Sequence, residues 1–195
     1  MNDIKAAIIA GGKAKRLGGI TKANIEITGK TIIERQLEVL SLVFDDIVVI
    51  SSKTIDADLT IYADIYKDCG PLGGIHSALV NTKADYIFAL SSDMPFVDVF
   101  YIELLMKHIK NEKIQAVVPI YDNKIQPLFA FYSQKALPSI VTSLKNEKFA
   151  IYEVLKNINT MYVEISSTRA QQVFFNINNQ SDIEKAKEIA LNLSL

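Results

Sequence analysis

The chain has 195 residues and a formal net charge of −1; 49% of its residues are hydrophobic and 22% are charged. This balance predicts one globular domain, residues 1–195, and excludes a disordered chain. The apolar runs are only strand-sized and no Lys/Arg run could follow a nucleic-acid backbone, so we expect neither a membrane span nor nucleic-acid binding. The single cysteine, Cys69, excludes an intrachain disulfide. The start lacks the features of a signal peptide, and we expect a cytoplasmic protein.

Apolar runs of strand length alternate with amphipathic stretches of helix length along the chain. The predicted strands are 6–10, 47–51, 86–90, 116–120, 128–132 and 161–165. The predicted helices are 31–43, 72–81, 99–110, 135–144, 150–157 and 181–193. The early strands are apolar throughout, which is typical of a parallel sheet that is buried on both faces.

The order of these elements predicts the fold class. Strand–helix–strand alternation through residue 120 indicates right-handed crossovers with helices on both faces of the sheet. The short connection into the run at 128–132 favours an antiparallel pair at that point. We therefore expect an α/β fold with three layers, Rossmann-like, with a mostly parallel, mixed sheet. Ligands of such sheets bind outside the carboxyl ends of the strands.

Seven of the eight glycines fall in two clusters, each at a predicted strand-to-helix junction. They are Gly11, Gly12, Gly18, Gly19, Gly70, Gly73 and Gly74. Glycine lets a ligand approach the backbone closely, so two clusters indicate two loops that face one site. The alternative for the second cluster is close packing of a helix on the sheet.

The first glycine loop, residues 10–22, carries four cations, Lys13, Lys15, Arg16 and Lys22. Consecutive backbone N–H groups with added cations are suited to binding phosphate oxygens. A basic surface loop would have the same composition. The loop matches neither a Walker A motif nor G-x-G-x-x-G, which argues against a dinucleotide oxidoreductase.

Two further features add polar groups at the predicted edge. Asp93 follows the apolar strand at 86–90, where its carboxylate would suit Mg²⁺ together with substrate phosphates. Its alternative role is a helix N-cap, for which Asp98 is better placed. Near the C-terminus, Asn176 and Asn178 would point to the same side of an extended segment and could bind a polar substrate. Capping of the last helix by Asn179 or Ser181 is the structural alternative.

Taken together, these motifs resemble the molybdenum cofactor guanylyltransferase family of MobA-type proteins. The matching segments, in the family's order, are residues 9–19 with Lys22, 70–74, 92–95, 126–130 and 175–178. The first motif alone is shared with many nucleotidyltransferases, and its combination with the others is more specific. The resemblance implies a nucleotidyltransferase fold and a Mg²⁺-dependent enzyme that transfers GMP from GTP to the phosphate of molybdopterin. Transient contact with other molybdenum cofactor proteins is compatible with it.

The resemblance also implies roles for individual residues. The implied nucleotide contacts are Ile9, Ala10, Gly11, Gly12, Lys22, Ser51, Asp64 and Asp93, with Asp68 as a competitor for Asp64. The implied pterin contacts are Arg16, Gly19, Gly70, Gly74, Asn176 and Asn178. Asp93 would be the metal ligand, and Arg16, Lys22 and Asp93 would be the catalytic residues.

Two positions depart from the family pattern. Thr21 stands where the family usually has Asp, which removes a carboxylate near the phosphates. Ser51 and Ser52 stand where an Asn often contacts the base, and a serine hydroxyl can also hydrogen-bond guanine. A related enzyme that uses CTP or a sugar phosphate, and a nucleotide sensor without catalysis, remain the alternatives.

Overall fold

The computed structural model describes residues 2–11, 21–53, 55 and 59–193. Its strands are β1 (Ile4–Ile9), β2 (Glu26–Ile27), β3 (Lys30–Thr31), β4 (Ile47–Ile50), β5 (Thr60–Tyr62), β6 (Tyr86–Ser91), β7 (Ala116–Tyr121), β8 (Lys124–Ile125), β9 (Phe129–Ser133) and β10 (Thr160–Ile165). Its α-helices are α1 (Ile32–Leu40), α2 (Gly70–Thr82), α3 (Val99–Met106), α4 (Leu137–Lys145), α5 (Ile151–Asn157), α6 (Ala170–Val173) and α7 (Gln180–Leu193).

The main sheet has the strand order β10-β7-β9-β6-β1-β4-β5, and β8 pairs with the C-terminal end of β7. All neighbours along β6-β1-β4-β5 are parallel, as are β10 and β7. Strand β9 runs antiparallel to both β6 and β7. The predicted mixed, mostly parallel α/β sheet is therefore confirmed, and so is the antiparallel pair near residue 128.

Apolar residues cover both faces of this sheet. Side chains alternate along β1, with Ala6 and Ile8 packed on the face covered by α1 and α3, and Ala7 and Ile9 on the face covered by α2 and α4. This two-sided burial explains why the early strands are apolar throughout. A third apolar cluster joins α7 to the β2–β3 hairpin through Ile27 and Ile183. The last helix is thereby held beside the carboxyl ends of the central strands.

The predicted elements are present with shifted ends. The first helix starts with a capping box in which Thr31 accepts from the N–H of Glu34 and the Glu34 carboxylate binds the N–H of Thr31. Helix α2 starts at Gly70, two residues before its predicted start, and Pro71 lies in its first turn. Strand β5, the β2–β3 hairpin and α6 were not predicted. Among the described residues, no helix is both long and apolar enough to cross a bilayer.

Candidate functional site

The central strands end together at one edge of the sheet. Ile9, the last residue of β1, is paired with Ile50 of β4 on one side and Ser91 of β6 on the other. The chain is held just beyond these ends, since the N–H of Ala10 donates to Ile50 and the N–H of Ser92 donates to the Ile9 carbonyl. The segments that follow the three strands therefore leave the sheet side by side, as expected for a ligand site of this fold.

Asp93 lies in the turn after β6 and is held from several directions. Its Oδ1 accepts a 2.6 Å hydrogen bond from the Ser91 hydroxyl, and its Oδ2 lies 3.0 Å from Nζ of Lys22. Its backbone carbonyl accepts from the N–H of Ile177 at 2.9 Å. Asp98 caps α3 by accepting from the N–H of Phe100, so the capping role belongs to Asp98 as the sequence indicated.

Lys22 connects three distant parts of the chain. It starts a short 3-10 turn, Lys22–Asn24, and its Nζ donates to Asp93 at 3.0 Å and to Oδ1 of Asn178 at 2.9 Å. The Lys22 side chain is 23% exposed and that of Asp93 is 18% exposed. An ammonium group, a carboxylate and an amide thus meet at one partly buried position beside the strand ends.

The two asparagines near the C-terminus have different surroundings. The Nδ2 atom of Asn176 donates to the carbonyl of Phe174, whereas Asn178 binds Lys22. The backbone of Asn178 is fixed because its N–H donates to Oδ2 of Asp182 at 2.8 Å. Asn179 caps α7 by accepting from the N–H of Asp182, which confirms that structural alternative for Asn179.

Asp64 lies in the loop after β5, next to Gly11. A Cβ added at Gly11 would lie 3.6 Å from its Oδ2, and one at Gly74 would lie 3.8 Å from its Oδ1. Oδ1 is buried and has no hydrogen-bond partner among the described residues. Burial raises the pKa of the Asp64 carboxyl. A buried acceptor that lacks a partner beside Gly11 is a candidate contact for a ligand donor.

The second glycine cluster forms the first turns of α2. A Cβ at Gly74 would lie 2.6 Å from Cγ2 of Ile9, and one at Gly73 would lie 2.8 Å from the carbonyl oxygen of Tyr66. Close packing of the helix therefore accounts for both glycines: Gly74 packs on Ile9 of the sheet, and Gly73 packs on the loop at Tyr66. Gly70 has a φ of +61° and open space around its Cα, so its glycine serves the turn into the helix. The positive end of α2 faces the site edge.

Other candidate residues take local roles or fall outside the described part. The buried Ser51 hydroxyl accepts from the N–H of Lys53 and donates to its carbonyl, so it closes a turn. His76 is a buried residue of α2 and stacks edge-on with Tyr66. Gly12, Arg16 and Gly19 lie outside the described residues.

Two contributors to the site, Ser91 and Gln36, were not assigned by sequence reasoning. Ser91 binds the Asp93 carboxylate, and Gln36 of α1 binds the backbone around it. The only sequence signal for Gln36 was its place in the apolar helical face that contains Ile32, Ile33 and Leu40. No pattern in one sequence says which carbonyls such an amide will meet.

The donors at this edge fit a magnesium ion. Asp93 offers a partly exposed carboxylate that already accepts a cation, the Lys22 ammonium. In the described ranges there is no group of three or more His, Cys, Asp or Glu residues arranged around a metal position. Mg²⁺ does not require such a group, because it is usually held by one or two carboxylates, substrate phosphates and water.

Comparison with known proteins gives consistent results. Residues 6–160 match the family of MobA-like NTP transferase domains. The probable molybdenum cofactor guanylyltransferase of Peptoclostridium acidaminophilum is 32% identical, over 94% of this chain and 88% of that protein. The crystal structure of molybdopterin-guanine dinucleotide biosynthesis protein A from Archaeoglobus fulgidus superimposes with a TM-score of 0.83 at 26% identity, over 96% and 99% of the two chains. The 2-C-methyl-D-erythritol 4-phosphate cytidylyltransferase of Thermus thermophilus shares the fold, with a TM-score of 0.70 at 12% identity over 95% and 98% of the chains.

Proposed function

Because this chain belongs to the family of MobA-like NTP transferase domains, we propose that it transfers GMP from GTP to the phosphate of molybdopterin and releases pyrophosphate. The observation that carries the proposal is the meeting of Lys22, Asp93 and Asn178 at the carboxyl ends of the strands. Relatives that cover nearly the whole chain bear the corresponding name. The same three side chains provide a cation, a carboxylate and a neutral hydrogen-bonding group for two phosphorylated substrates.

The proposed reaction joins two anionic groups and needs no nucleophile from the protein. A phosphate oxygen of molybdopterin attacks the α-phosphorus of GTP, and the bond from the α-phosphorus to the bridging oxygen breaks, so pyrophosphate leaves with the electron pair. Positioning of the substrates and neutralisation of charge account for most catalysis of this kind. The residues required are therefore binding and orienting groups, which is what the site contains.

Lys22 and Asp93 have complementary tasks in this proposal. The Lys22 ammonium binds triphosphate oxygens and stabilises the charge of the departing pyrophosphate. Asp93, whose carboxylate is oriented by the Ser91 hydroxyl, would hold Mg²⁺. Bound there, Mg²⁺ would neutralise triphosphate oxygens and increase the electrophilicity of the α-phosphorus. Asn178 fixes the direction from which Lys22 reaches the site and lies where the acceptor would enter.

The nucleotide half of the site lies beside β1. In the proposal, Ile9, Ala10 and Gly11 present backbone to the base, ribose and phosphates, and Asp64 supplies an acceptor that has no partner among the described residues. Gly12 completes this half in the proposal, and the resemblance to the family assigns Arg16 and Gly19 to binding of the acceptor. In the proposal Ser51 lies near the nucleotide, but its hydroxyl is already engaged in hydrogen bonds with the backbone of Lys53. Asp64 is consequently the side chain in this half of the site that we expect to contact the nucleotide.

Product formation tests the proposal directly. The protein is incubated with Mg²⁺, molybdopterin and GTP, and both pyrophosphate and the guanine dinucleotide are measured; the same assay is repeated with CTP and UTP. Both products with GTP are expected. Product with CTP alone would indicate a cytidylyltransferase. Binding of GTP without pyrophosphate release would favour the nucleotide sensor and refute the proposed reaction.

A further inference from the structure

Gln36 is a polar residue in an otherwise apolar helix face. Its side chain is fully buried, and Ile32, Ile33 and Leu40 on the same helix are buried as well. Its Nε2 donates to the carbonyl of Ser91 at 2.8 Å and to the carbonyl of Met94 at 2.9 Å. Burying an amide in an apolar face is unfavourable unless its groups form hydrogen bonds. The two bonds made by Nε2 offset part of the free-energy cost of burying Gln36.

The two carbonyls that Gln36 binds belong to the turn that presents Asp93. The N–H of Met94 donates to the carbonyl of Ser91 at 3.3 Å, so residues 91–94 form one turn around the aspartate. The Gln36 amide lies on the buried side of this turn and binds its first and last carbonyls. On the other side, Ser91 and Lys22 bind the two carboxylate oxygens of Asp93. The carboxylate is thus oriented by its own contacts, while Gln36 fixes the backbone that carries it.

The remaining atom of Gln36 argues against a purely stabilising role. Oε1 is buried and has no hydrogen-bond partner among the described residues. An unpaired buried carbonyl opposes the stability gained from the two bonds made by Nε2. A methionine of similar length would fill the same space without this unpaired oxygen. The unpaired oxygen therefore offsets part of the stability gained from the two bonds, whereas the effect of Gln36 on the geometry of residues 91–94 is direct.

We infer that Gln36 is a positioning residue for the metal-binding carboxylate: it holds the turn of residues 91–94 so that Asp93 presents its carboxylate to the cation bound with the nucleotide. The inference rests on the proposed role of Asp93 and assigns Gln36 no contact with substrate or metal. Residues that orient a metal ligand from outside the coordination shell affect metal affinity strongly, by about 10- to 100-fold when they are replaced.

The test measures how much a metal ion strengthens GTP binding. GTP is titrated calorimetrically into the protein with Mn²⁺ and, separately, with EDTA, for wild type and for Gln36→Met, Gln36→Glu and Tyr86→Phe. Tyr86→Phe is the matched control: Tyr86 lies at the opposite end of β6, and its buried hydroxyl donates to the carbonyl of Ile114 at 2.8 Å. The Tyr86→Phe variant therefore loses one hydrogen bond to a backbone carbonyl that lies far from Asp93.

We expect Gln36→Met to reduce the metal-dependent gain in GTP affinity about tenfold and to leave the affinity in EDTA unchanged. Gln36→Glu should fall between Gln36→Met and wild type, because a buried carboxyl that faces two carbonyls stays protonated and donates one bond. Tyr86→Phe should behave as wild type.

Three results would overturn the inference: no metal-dependent gain in the wild type, a gain in Gln36→Met within twofold of the wild type, or an equal loss in Tyr86→Phe. If Gln36→Met does not fold, Gln36→Glu decides alone. A metal-dependent gain in GTP affinity below that of wild type supports the inference, and a gain equal to that of wild type overturns it. A protein that binds GTP with metal but forms no dinucleotide would refute the proposed function and leave the role of Gln36 intact.

Discussion

The ammonium of Lys22 lies 3.0 Å from Oδ2 of Asp93, so the two opposite charges that we assign to the triphosphate site neutralise each other in the free protein. In the proposed reaction, nucleotide binding with Mg²⁺ would replace this pair by two new ones, ammonium with phosphate and carboxylate with metal. Because both side chains are partly exposed, the pair itself contributes little to stability. The two partners can therefore be varied separately.

The Lys22→Ala variant should bind GTP more weakly, since it loses a charge-assisted contact with the phosphates. The expected loss is about 1.5–3 kcal/mol, measured by titration of GTP. Lys30→Ala is the matched control because Lys30 pairs with Glu38 on the surface, at 2.6 Å, and should leave GTP affinity unchanged. An unaltered affinity and rate in Lys22→Ala would remove Lys22 from the site.

The Asp93→Ala variant should lose turnover while GTP binding in EDTA survives at least in part. The reason is that the variant removes the metal ligand and leaves the backbone contacts of the nucleotide half in place. Pyrophosphate release and GTP titration measure the two properties. Asp98→Asn, which keeps the cap of α3, should retain turnover. Near-normal activity of Asp93→Ala at saturating Mg²⁺ would refute the metal assignment.

The Asp64→Asn variant should change the pH dependence of stability. Burial raises the pKa of Asp64, so between its ordinary and raised pKa the folded protein binds more protons than the unfolded chain. Wild type therefore loses stability from this group as pH rises through that window, and the asparagine variant does not. Urea unfolding at several pH values from acid to neutral should show that the free energy of unfolding of the variant, relative to that of wild type, increases with pH. A constant difference would contradict the effect of burial.

The Gly74→Ala variant should be destabilised by about 1–3 kcal/mol through overpacking, because its Cβ would lie 2.6 Å from Cγ2 of Ile9. Urea unfolding measures the loss. In an Ile9→Ala background the clash is absent, so the added cost of Gly74→Ala should largely disappear, and the two substitutions should be strongly non-additive. If the losses of stability from Gly74→Ala and Ile9→Ala were additive, the strain of Gly74→Ala would not come from the contact with Ile9.

The sequence predicted the strands and helices that are long and regular in apolar pattern. Strand β5 was missed because it has three residues, Thr60–Tyr62, none of them fully buried, so it carries no apolar run. The ends of α2 were misplaced because Gly70 and Pro71 are poor helix formers and lie in its first turn. Such elements depend on the neighbours they pair with, which one sequence does not show.

The candidate site was likewise only partly predictable, because some of its contacts depend on neighbours that one sequence does not show. Asp93 and Lys22 could be singled out because the residue type and the place after a strand indicate phosphate and metal chemistry. The contacts of Gln36 and of the Ser91 hydroxyl could not, since they depend on how α1 packs beside the turn after β6. Gly73 and Gly74 of α2 show the opposite case: packing accounts for residues whose pattern also suggested a ligand loop.

Lys22 and Asn178 are separated by 156 positions along the chain, and Asp93 lies between them. Contacts over such distances close late, because the entropy of ordering the intervening chain opposes them until other elements have packed. During synthesis the lysine emerges from the ribosome first, and its asparagine partner emerges 156 residues later. A partly synthesised or C-terminally clipped chain therefore retains Asp93 as a partner for Lys22 but lacks the contact with Asn178 that completes the site.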